Sequence, residues 1–233
     1  MSGPQAAIPT AAPKVWHMYR AMVGIGVLCG LLIVGVFEVT KPIIKANKAE
    51  FLQESIFMVL PDARSSATFR VDGDGGFTEL EGEAAAGEPL VYAGYDDDGQ
   101  LVGLAVEAAG MGYQDVIRVL YGYSYDKDAI IGIRVQESKE TPGLGDKIET
   151  DPAFLENFVR LDVSLNADAW GLANEIVAVK TGEKQNAWEV DGITGATISS
   201  VAIASLLNKS AAYWVPRLRA NLDDFKSTEQ ERM

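Results

Sequence analysis

The sequence has one cysteine and one histidine in 233 residues, Cys29 and His17. A single cysteine cannot close an internal disulfide, and it lies inside an apolar run, so the chain lacks a thiolate set for zinc or for an iron–sulfur cluster. The histidine precedes the same run, which excludes histidine-based catalysis in the rest of the chain. We therefore expect no metal site and no catalytic side chain. Any redox chemistry would require a bound organic cofactor.

Positive charge is also scarce. Twenty Lys and Arg stand against 33 Asp and Glu, and the formal net charge is −13. Residues 1–50 carry five basic and two acidic side chains, a balance of +3, so residues 51–233 carry −16. Because a strongly acidic domain repels phosphate backbones, we expect no nucleic-acid partner. The length allows one domain of roughly 180 residues and a membrane segment, but not two large domains.

Residues 21–37 contain no charged side chain, and a run of this length is just long enough to cross the lipid bilayer as a helix. We therefore predict a transmembrane helix there. Aromatic and charged residues flank the run as interfacial anchors, among them Trp16 and Lys41. A cleaved signal peptide is the alternative, but the run is long for one and no small-x-small cleavage site follows it. Basic residues lie on both sides, so charge does not set the orientation. We assign residues 1–13 as a disordered lead-in and residues 14–41 as the membrane anchor.

The rest of the chain predicts an α+β domain with an antiparallel sheet and flanking helices, because strands come first and helices lie at the ends. Apolar spacing of three and four predicts a linking helix, assigned to residues 42–60, and the domain then spans residues 61–222. Period-two alternation around Asp-containing turns predicts two β-hairpins. The first hairpin pairs residues 90–95 with 101–107, and the second pairs 117–125 with 129–136. After them we expect a helix at 152–159, a strand at 174–180 and a helix at 199–218. Residues 223–233 form a charged tail.

A hydroxyl-rich turn precedes the last predicted helix. Two glycines and an alanine leave its backbone open to close approach by a ligand. The free N–H groups and the positive dipole end of a starting helix receive a phosphate well. Ser and Thr are also the ordinary N-cap residues, so a plain helix cap is the alternative on local chemistry. The candidate residues are Asp191, Gly192, Thr194, Gly195, Ala196, Thr197, Ser199 and Ser200.

The order Asp-Gly-Ile-Thr-Gly-Ala-Thr at residues 191–197 resembles the flavinylation motif of the FMN-binding subunits of membrane redox complexes, the RnfG and NqrC family. A chance match to this pattern is rare, on the order of one in a thousand for a chain of this length. The resemblance implies that a flavin transferase joins FMN through its phosphate, as a phosphoester, to Thr197. It also implies that Asp191 serves recognition by the transferase, with Mg²⁺, during attachment.

Two further segments resemble the same family. Residues 140–145 read Glu-Thr-Pro-Gly-Leu-Gly, a second hallmark; a plain β-turn is the alternative from chemistry alone. The third segment is residues 110–117, in which Gln114 and Asp115 stand where the family more usually has glycines, and this argues against a close backbone contact there. Tyr113 is a stacking partner or a core aromatic residue. The resemblance implies flavin contacts from Glu140, Thr141, Gly143, Leu144, Gly145, Gly112 and Tyr113.

The resemblance implies an electron-transfer subunit with covalent FMN, and not a complete enzyme by itself. The complex would be an Rnf-type ferredoxin:NAD oxidoreductase that translocates Na⁺ or H⁺, with other membrane subunits as partners. The chain would cross the inner membrane once, with its C-terminal domain in the periplasm. An NqrC-like component of the sodium-pumping NADH:quinone reductase is the alternative, and the lack of a long insertion favours the Rnf type. A membrane-anchored scaffold without active flavin, or a stand-alone flavin reductase, remains open.

Overall fold

The computed structural model describes residues 15–82, 84–85 and 87–226. The predicted lead-in at 1–13 and most of the predicted tail lie outside these residues. Contacts divide the chain into two units, residues 1–50 and 51–233. The predicted boundary after residue 60 therefore differs from the structure, in which the last turns of the linking helix belong to the domain. Ile56, Val59 and Leu60 are each at most 2% exposed within the second unit.

The N-terminal helix α1 runs without interruption over Val15–Val59 and contains Pro42. The sequence predicts an anchor helix and a separate linking helix after this proline, whereas the structure joins them. Proline removes one N–H donor from the helix but does not always end it. In the described part of the chain α1 is the one helix long and apolar enough to cross a membrane, and its most apolar stretch is unburied. The helix is compatible with a membrane anchor.

An antiparallel sheet of seven strands forms the centre of the second unit. Its strands are β1 Ser65–Val71, β2 Phe77–Glu79, β3 Leu90–Tyr95, β4 Leu101–Met111, β5 Val116–Ser124, β6 Ala129–Glu137 and β7 Leu161–Asp162. They lie in the order β2-β1-β3-β4-β5-β6-β7, and β1, β2 and β7 were not predicted. The two predicted hairpins are confirmed within one residue at their turns, although β4 extends four residues further than expected.

The remaining elements all lie C-terminal to β6, and two short helices precede β7. A parallel pair of short strands is an unpredicted feature, and its first member shortens the expected strand at 174–180. Asp151 Oδ1 accepts hydrogen bonds from the backbone N–H groups of Ala153 and Phe154, which confirms the predicted N-cap of a short helix. The bounds are α2 Lys147–Thr150, α3 Pro152–Glu156, β8 Val177–Val179, β9 Glu189–Asp191, α4 Thr197–Ala220 and a 3₁₀ helix Leu222–Phe225.

The sheet is covered on both faces, as alternate residues of its strands show. Leu104 and Tyr121 lie in the main core with α4, and their neighbours Ala105 and Leu120 pack with the end of α1. That helix end approaches the sheet closely: a Cβ at Gly132 would lie 2.8 Å from Val59 Cα. The observed architecture is the α+β class that the sequence predicts.

The domain extends past its predicted end at residue 222. The Phe225 side chain is fully buried, and its ring lies 4.7 Å from that of Phe77 and 4.9 Å from that of Phe69. Its carbonyl oxygen accepts a hydrogen bond of 2.8 Å from the Tyr95 hydroxyl. The residues on both sides of Phe225 are charged, so the core ends at this one aromatic side chain.

Candidate functional site

The candidate site lies at the N-terminus of α4, which a short turn connects to β9. Gly195 in this turn has φ +88°, a left-handed conformation that glycine adopts without strain. The first intrahelical bond runs from Ser200 N–H to Ala196 O. Among the described residues, the N–H groups of Thr197, Ile198 and Ser199 have no acceptor. These three donors and the positive helix end form a site that favours an anion.

The four hydroxyls of the turn differ in their hydrogen bonds. Ser200 Oγ donates to Ala196 O and accepts from Ile193 N–H, both at 3.0 Å. Ser199 Oγ donates to the Glu140 carboxylate. Thr194 Oγ1 lies 3.0 Å from Thr181 Oγ1, which itself donates to Gly192 O.

Thr197 is the exception among these hydroxyls. Its side chain is exposed, and its oxygen has no hydrogen-bond partner within the described parts of the chain. Ala196 occupies the N-cap position, and no side chain caps α4 there. The plain-cap alternative therefore does not account for Thr197, whose hydroxyl is free to react.

Glu140 joins the three sequence segments that the motifs define. Its side chain is only 6% exposed. One carboxylate oxygen accepts from the N–H groups of Tyr113 at 2.8 Å and Gln114 at 3.1 Å, and the other accepts from Ser199 Oγ. Hydrogen bonds to a charged acceptor are stronger than neutral ones. The carboxylate therefore ties the end of β4 and the start of α4 to its own loop.

Two glycines leave room for this carboxylate. A Cβ at Gly145 would lie 2.7 Å from Glu140 Oε2, and a Cβ at Gly112 would lie 2.5 Å from Oε1. The Gln114 N–H donates to Glu140 although a glycine is more usual at this position in the family. The expectation that residues 114 and 115 make no close backbone contact with a ligand stays a prediction. Gln114 Nε2 also donates to Thr141 Oγ1 at 2.8 Å.

A cavity of about 370 Å³ opens beside the free hydroxyl. Its size lies within the usual range of ligand pockets. Tyr113, Leu144 and Ile198 are 63%, 50% and 57% exposed, so apolar side chains face the open space. Such surfaces accept a planar aromatic ring, and the helix N-terminus accepts a phosphate, so the site fits FMN. The lining residues are Tyr113, Glu140, Thr141, Leu144, Gly145, Gly195, Ala196, Thr197, Ile198 and Ser199.

Ile198 is the lining residue that the sequence reasoning missed. An apolar side chain in the exposed first turn of a helix is the signal that could have identified it. Six predicted residues do not line the cavity, and one of them, Ser200, is fully buried. The six are Gly112, Gly143, Asp191, Gly192, Thr194 and Ser200.

Asp191 is committed to protein contacts. Both carboxylate oxygens accept from the Gly182 N–H, at 2.7 and 3.0 Å. Asn157, which is 4% exposed, accepts from Asp191 N–H and donates to Asp191 O. Lys184 Nζ also donates to Asn157 Oδ1 at 3.1 Å, and partial burial lowers the pKa of this lysine. The aspartate thus holds the loop that carries Thr181 against the turn.

One exposed ion pair lies beside the Glu140 loop. Lys139 Nζ contacts Asp115 Oδ2, and this hydrogen bond lowers the pKa of the aspartate and raises the pKa of the lysine. Exposed pairs of this kind contribute little to stability. The opposite charges of Lys139 and Asp115 cancel, so the pair adds no net charge beside the cavity.

Comparisons with known proteins agree with this geometry. Residues 112–212 match the FMN-binding domain family. RnfG of Methanosarcina acetivorans, a component of its ion-translocating oxidoreductase complex, is 34% identical over 86% of this chain and 94% of its own length. Its Escherichia coli namesake is 29% identical over 78% and 82%.

Solved structures resemble the chain in fold. NqrC of Shewanella oneidensis has a TM-score of 0.54 at 20% identity, over 77% of this chain and 96% of that one. The corresponding component of a Na⁺-translocating NADH-quinone reductase from Parabacteroides distasonis has a TM-score of 0.52 at 24% identity, over 67% and 78%. At such identities the likeness shows the fold alone.

Proposed function

The chain belongs to the RnfG family, whose members are components of ion-translocating oxidoreductase complexes, and on this premise we propose that it carries FMN covalently as a phosphoester of Thr197. The observation that carries the proposal is the free hydroxyl of Thr197. Thr197 lines the cavity and begins a helix whose first three N–H donors have no acceptor among the described residues.

A flavin transferase would catalyse the attachment. The Thr197 oxygen would form the new bond to the phosphorus of a flavin dinucleotide, the phosphoanhydride bond would break to release a nucleoside monophosphate, and the hydroxyl proton would go to a base of the transferase. The N–H groups of Thr197, Ile198 and Ser199 would hold the negative charge of the resulting phosphodiester.

The covalent link explains why an open cavity is sufficient. Loss of the cofactor would require a bond to break, so retention needs no deep pocket. FMN supplies one- and two-electron transfer. Tyr113, Leu144 and Ile198 would pack against its ring, and Glu140 keeps their segments in register. A ring that stays partly exposed can exchange electrons with neighbouring carriers.

At the level of the complex, we propose an Rnf-type ferredoxin:NAD oxidoreductase coupled to Na⁺ or H⁺ translocation. The helix α1 would cross the inner membrane once, in contact with lipid and with other membrane subunits, and leave the domain in the periplasm. The name shared by the curated relatives supports the Rnf type over the NqrC type. The free Thr197 hydroxyl argues against a scaffold without flavin.

Three variants made together with the transferase test the attachment site. We expect flavin fluorescence to stay with the denatured wild-type band on a gel, to persist in Thr197→Ser and to disappear in Thr197→Ala. Thr194→Ala is the matched control, because its hydroxyl bonds to Thr181 and should be dispensable for attachment. Fluorescence retained by Thr197→Ala, or absent from the wild type, would contradict the proposal.

The membership of the complex is tested separately. Purification of the full chain from its native membrane should recover the other membrane subunits, identified by mass. Ferredoxin-dependent NAD reduction by that complex should fall in Thr197→Ala while the subunits still copurify. A chain that purifies alone with bound flavin would instead be a stand-alone flavin reductase.

A further inference from the structure

Trp170 is the most exposed large apolar side chain in the described part of the chain, at 87%. It does not line the cavity beside Thr197, and the proposed attachment of FMN does not use it. Single exposed apolar residues are common, but an almost fully exposed tryptophan is not explained by the core or by the cofactor.

The segment that carries it, residues 164–173, is here named the tryptophan arm. Its two ends are joined by the bond from Ala173 N–H to Ser164 O at 2.8 Å. Further along, Leu165 and Leu172 form an isolated antiparallel bridge, and both side chains pack against the main core. The arm is therefore a short hairpin with an anchored base.

The tip of the arm is held by Asn166. Its N–H donates to Gly171 O, its carbonyl accepts from Ala169 N–H, and its side-chain oxygen accepts from Trp170 N–H at 3.3 Å. Ala169 adopts φ +57°, a left-handed conformation that alanine rarely takes. Strained backbone of this kind is often retained where it serves function. The hydrogen bonds of the tip therefore hold the backbone that carries the tryptophan in one conformation.

We propose that Trp170 is a docking anchor that inserts into an apolar pocket of another protein of the complex. Tryptophan is among the residues most enriched at the hot spots of protein–protein interfaces, and a backbone already held in one conformation lowers the entropic cost of docking. The relatives are named as subunits of a complex, so a protein partner is available.

The charge of the arm favours a protein over a lipid surface. The arm carries Asp168 and no Lys or Arg, within a unit of net charge −16. Peripheral binding to anionic lipid uses basic residues together with several apolar ones. In the arm the other two large apolar side chains, Leu165 and Leu172, are already packed inward. One tryptophan beside an aspartate suits a protein pocket better than a bilayer.

The inference rests on the proposed assembly into a complex but not on flavin at Thr197. The test is purification of the full chain with its complex from the native membrane in mild detergent, with the partner subunits quantified by mass spectrometry. We expect Trp170→Ala to lower the partner-to-chain ratio at least tenfold and Trp170→Phe to lower it less. Val159→Ala, at a side chain that is 59% exposed, is the matched control and should have no effect.

Each alternative has its own outcome. An unchanged ratio in Trp170→Ala would overturn the proposal, provided that the wild type copurifies its partners. Quenching of Trp170 fluorescence by brominated lipid in vesicles that contain this chain alone, measured against Trp170→Phe, would assign the arm to the bilayer instead. A dimer of the isolated chain that Trp170→Ala dissolves would assign it to a second copy. Covalent flavin should persist in Trp170→Ala, which separates a failure of docking from a failure of the proposed cofactor site.

Discussion

Removing the carboxylate of Glu140 should destabilise the site more than neutralising it. In Glu140→Ala the N–H groups of Tyr113 and Gln114 and the hydroxyl of Ser199 lose their acceptor. A hydrogen bond to a charged group contributes about 1.5–3 kcal/mol, and a buried donor left without a partner costs about 1–3 kcal/mol. Water can replace the acceptor at the two partly buried N–H groups but less readily at Ser199, which is 2% exposed.

The expected loss for Glu140→Ala is therefore about 2–4 kcal/mol, less than the sum of three isolated bonds. For a domain of this size each kcal/mol lowers the midpoint of thermal unfolding by about 2–4 °C, so we expect a decrease of roughly 5–15 °C. Glu140→Gln keeps one oxygen for both N–H groups, and its amide can donate to Ser199 Oγ once that hydroxyl rotates. We expect it to lose only about 1 kcal/mol.

The assay is thermal and urea unfolding of the full chain in detergent, followed by near-ultraviolet circular dichroism, with covalent flavin measured in the same preparations. Glu140→Ala should also attach less flavin, because its loss separates the three segments around the cavity. Equal stability of the Gln and Ala variants would refute the reasoning, since it would mean that the negative charge and not the hydrogen-bond geometry matters. A loss below about 0.5 kcal/mol in Glu140→Ala, the usual effect of an ordinary surface substitution, would refute it as well.

Three further predictions concern separate parts of the domain. Gly145→Ala should destabilise by about 1–3 kcal/mol, because its Cβ would meet the Glu140 carboxylate at 2.7 Å, whereas Gly171→Ala, with no neighbour nearer than 3.8 Å, should change urea stability little. If Asp191 acts through its hydrogen bonds to Gly182, Asp191→Asn should attach flavin almost as well as the wild type and Asp191→Ala should not. If neither variant shows covalent flavin on denaturing gels, the charge of Asp191, acting with Mg²⁺, is what attachment requires. Burial raises the pKa of Tyr95 and Tyr123 to about 12. The free energy of unfolding should therefore not depend on these groups below pH 10 and should fall between pH 10 and 12. Replacing both tyrosines by Phe should reduce that fall, as measured by urea unfolding.

Local patterns were sufficient to predict the two hairpins, the capped start of α3 and the helix α4. In each, the determining contacts are close in sequence: a turn between alternating strands, or Asp151 beside the N–H groups that it accepts. Strands β1, β2, β7 and β9 escaped prediction and β8 was predicted too long, because most of these strands are short and few of their residues carry the alternation. The parallel pair β8 and β9 depends on intervening residues that show no regular period.

The sequence by itself determined which chemistry the protein can use. One cysteine and one histidine exclude metal and thiol redox sites, and the seven-residue motif ending at Thr197 indicates a flavin attachment turn. The resemblance of that motif also points to Thr197, but the residues alone do not say which of the turn's four hydroxyls lacks a hydrogen-bond partner. Only the tertiary structure decided that, because the partners of the other three come from Glu140, from Thr181 and from the folded turn itself. A hydroxyl's reactivity depends on what else it bonds to, and those partners meet only when the sheet, the loops and α4 pack together.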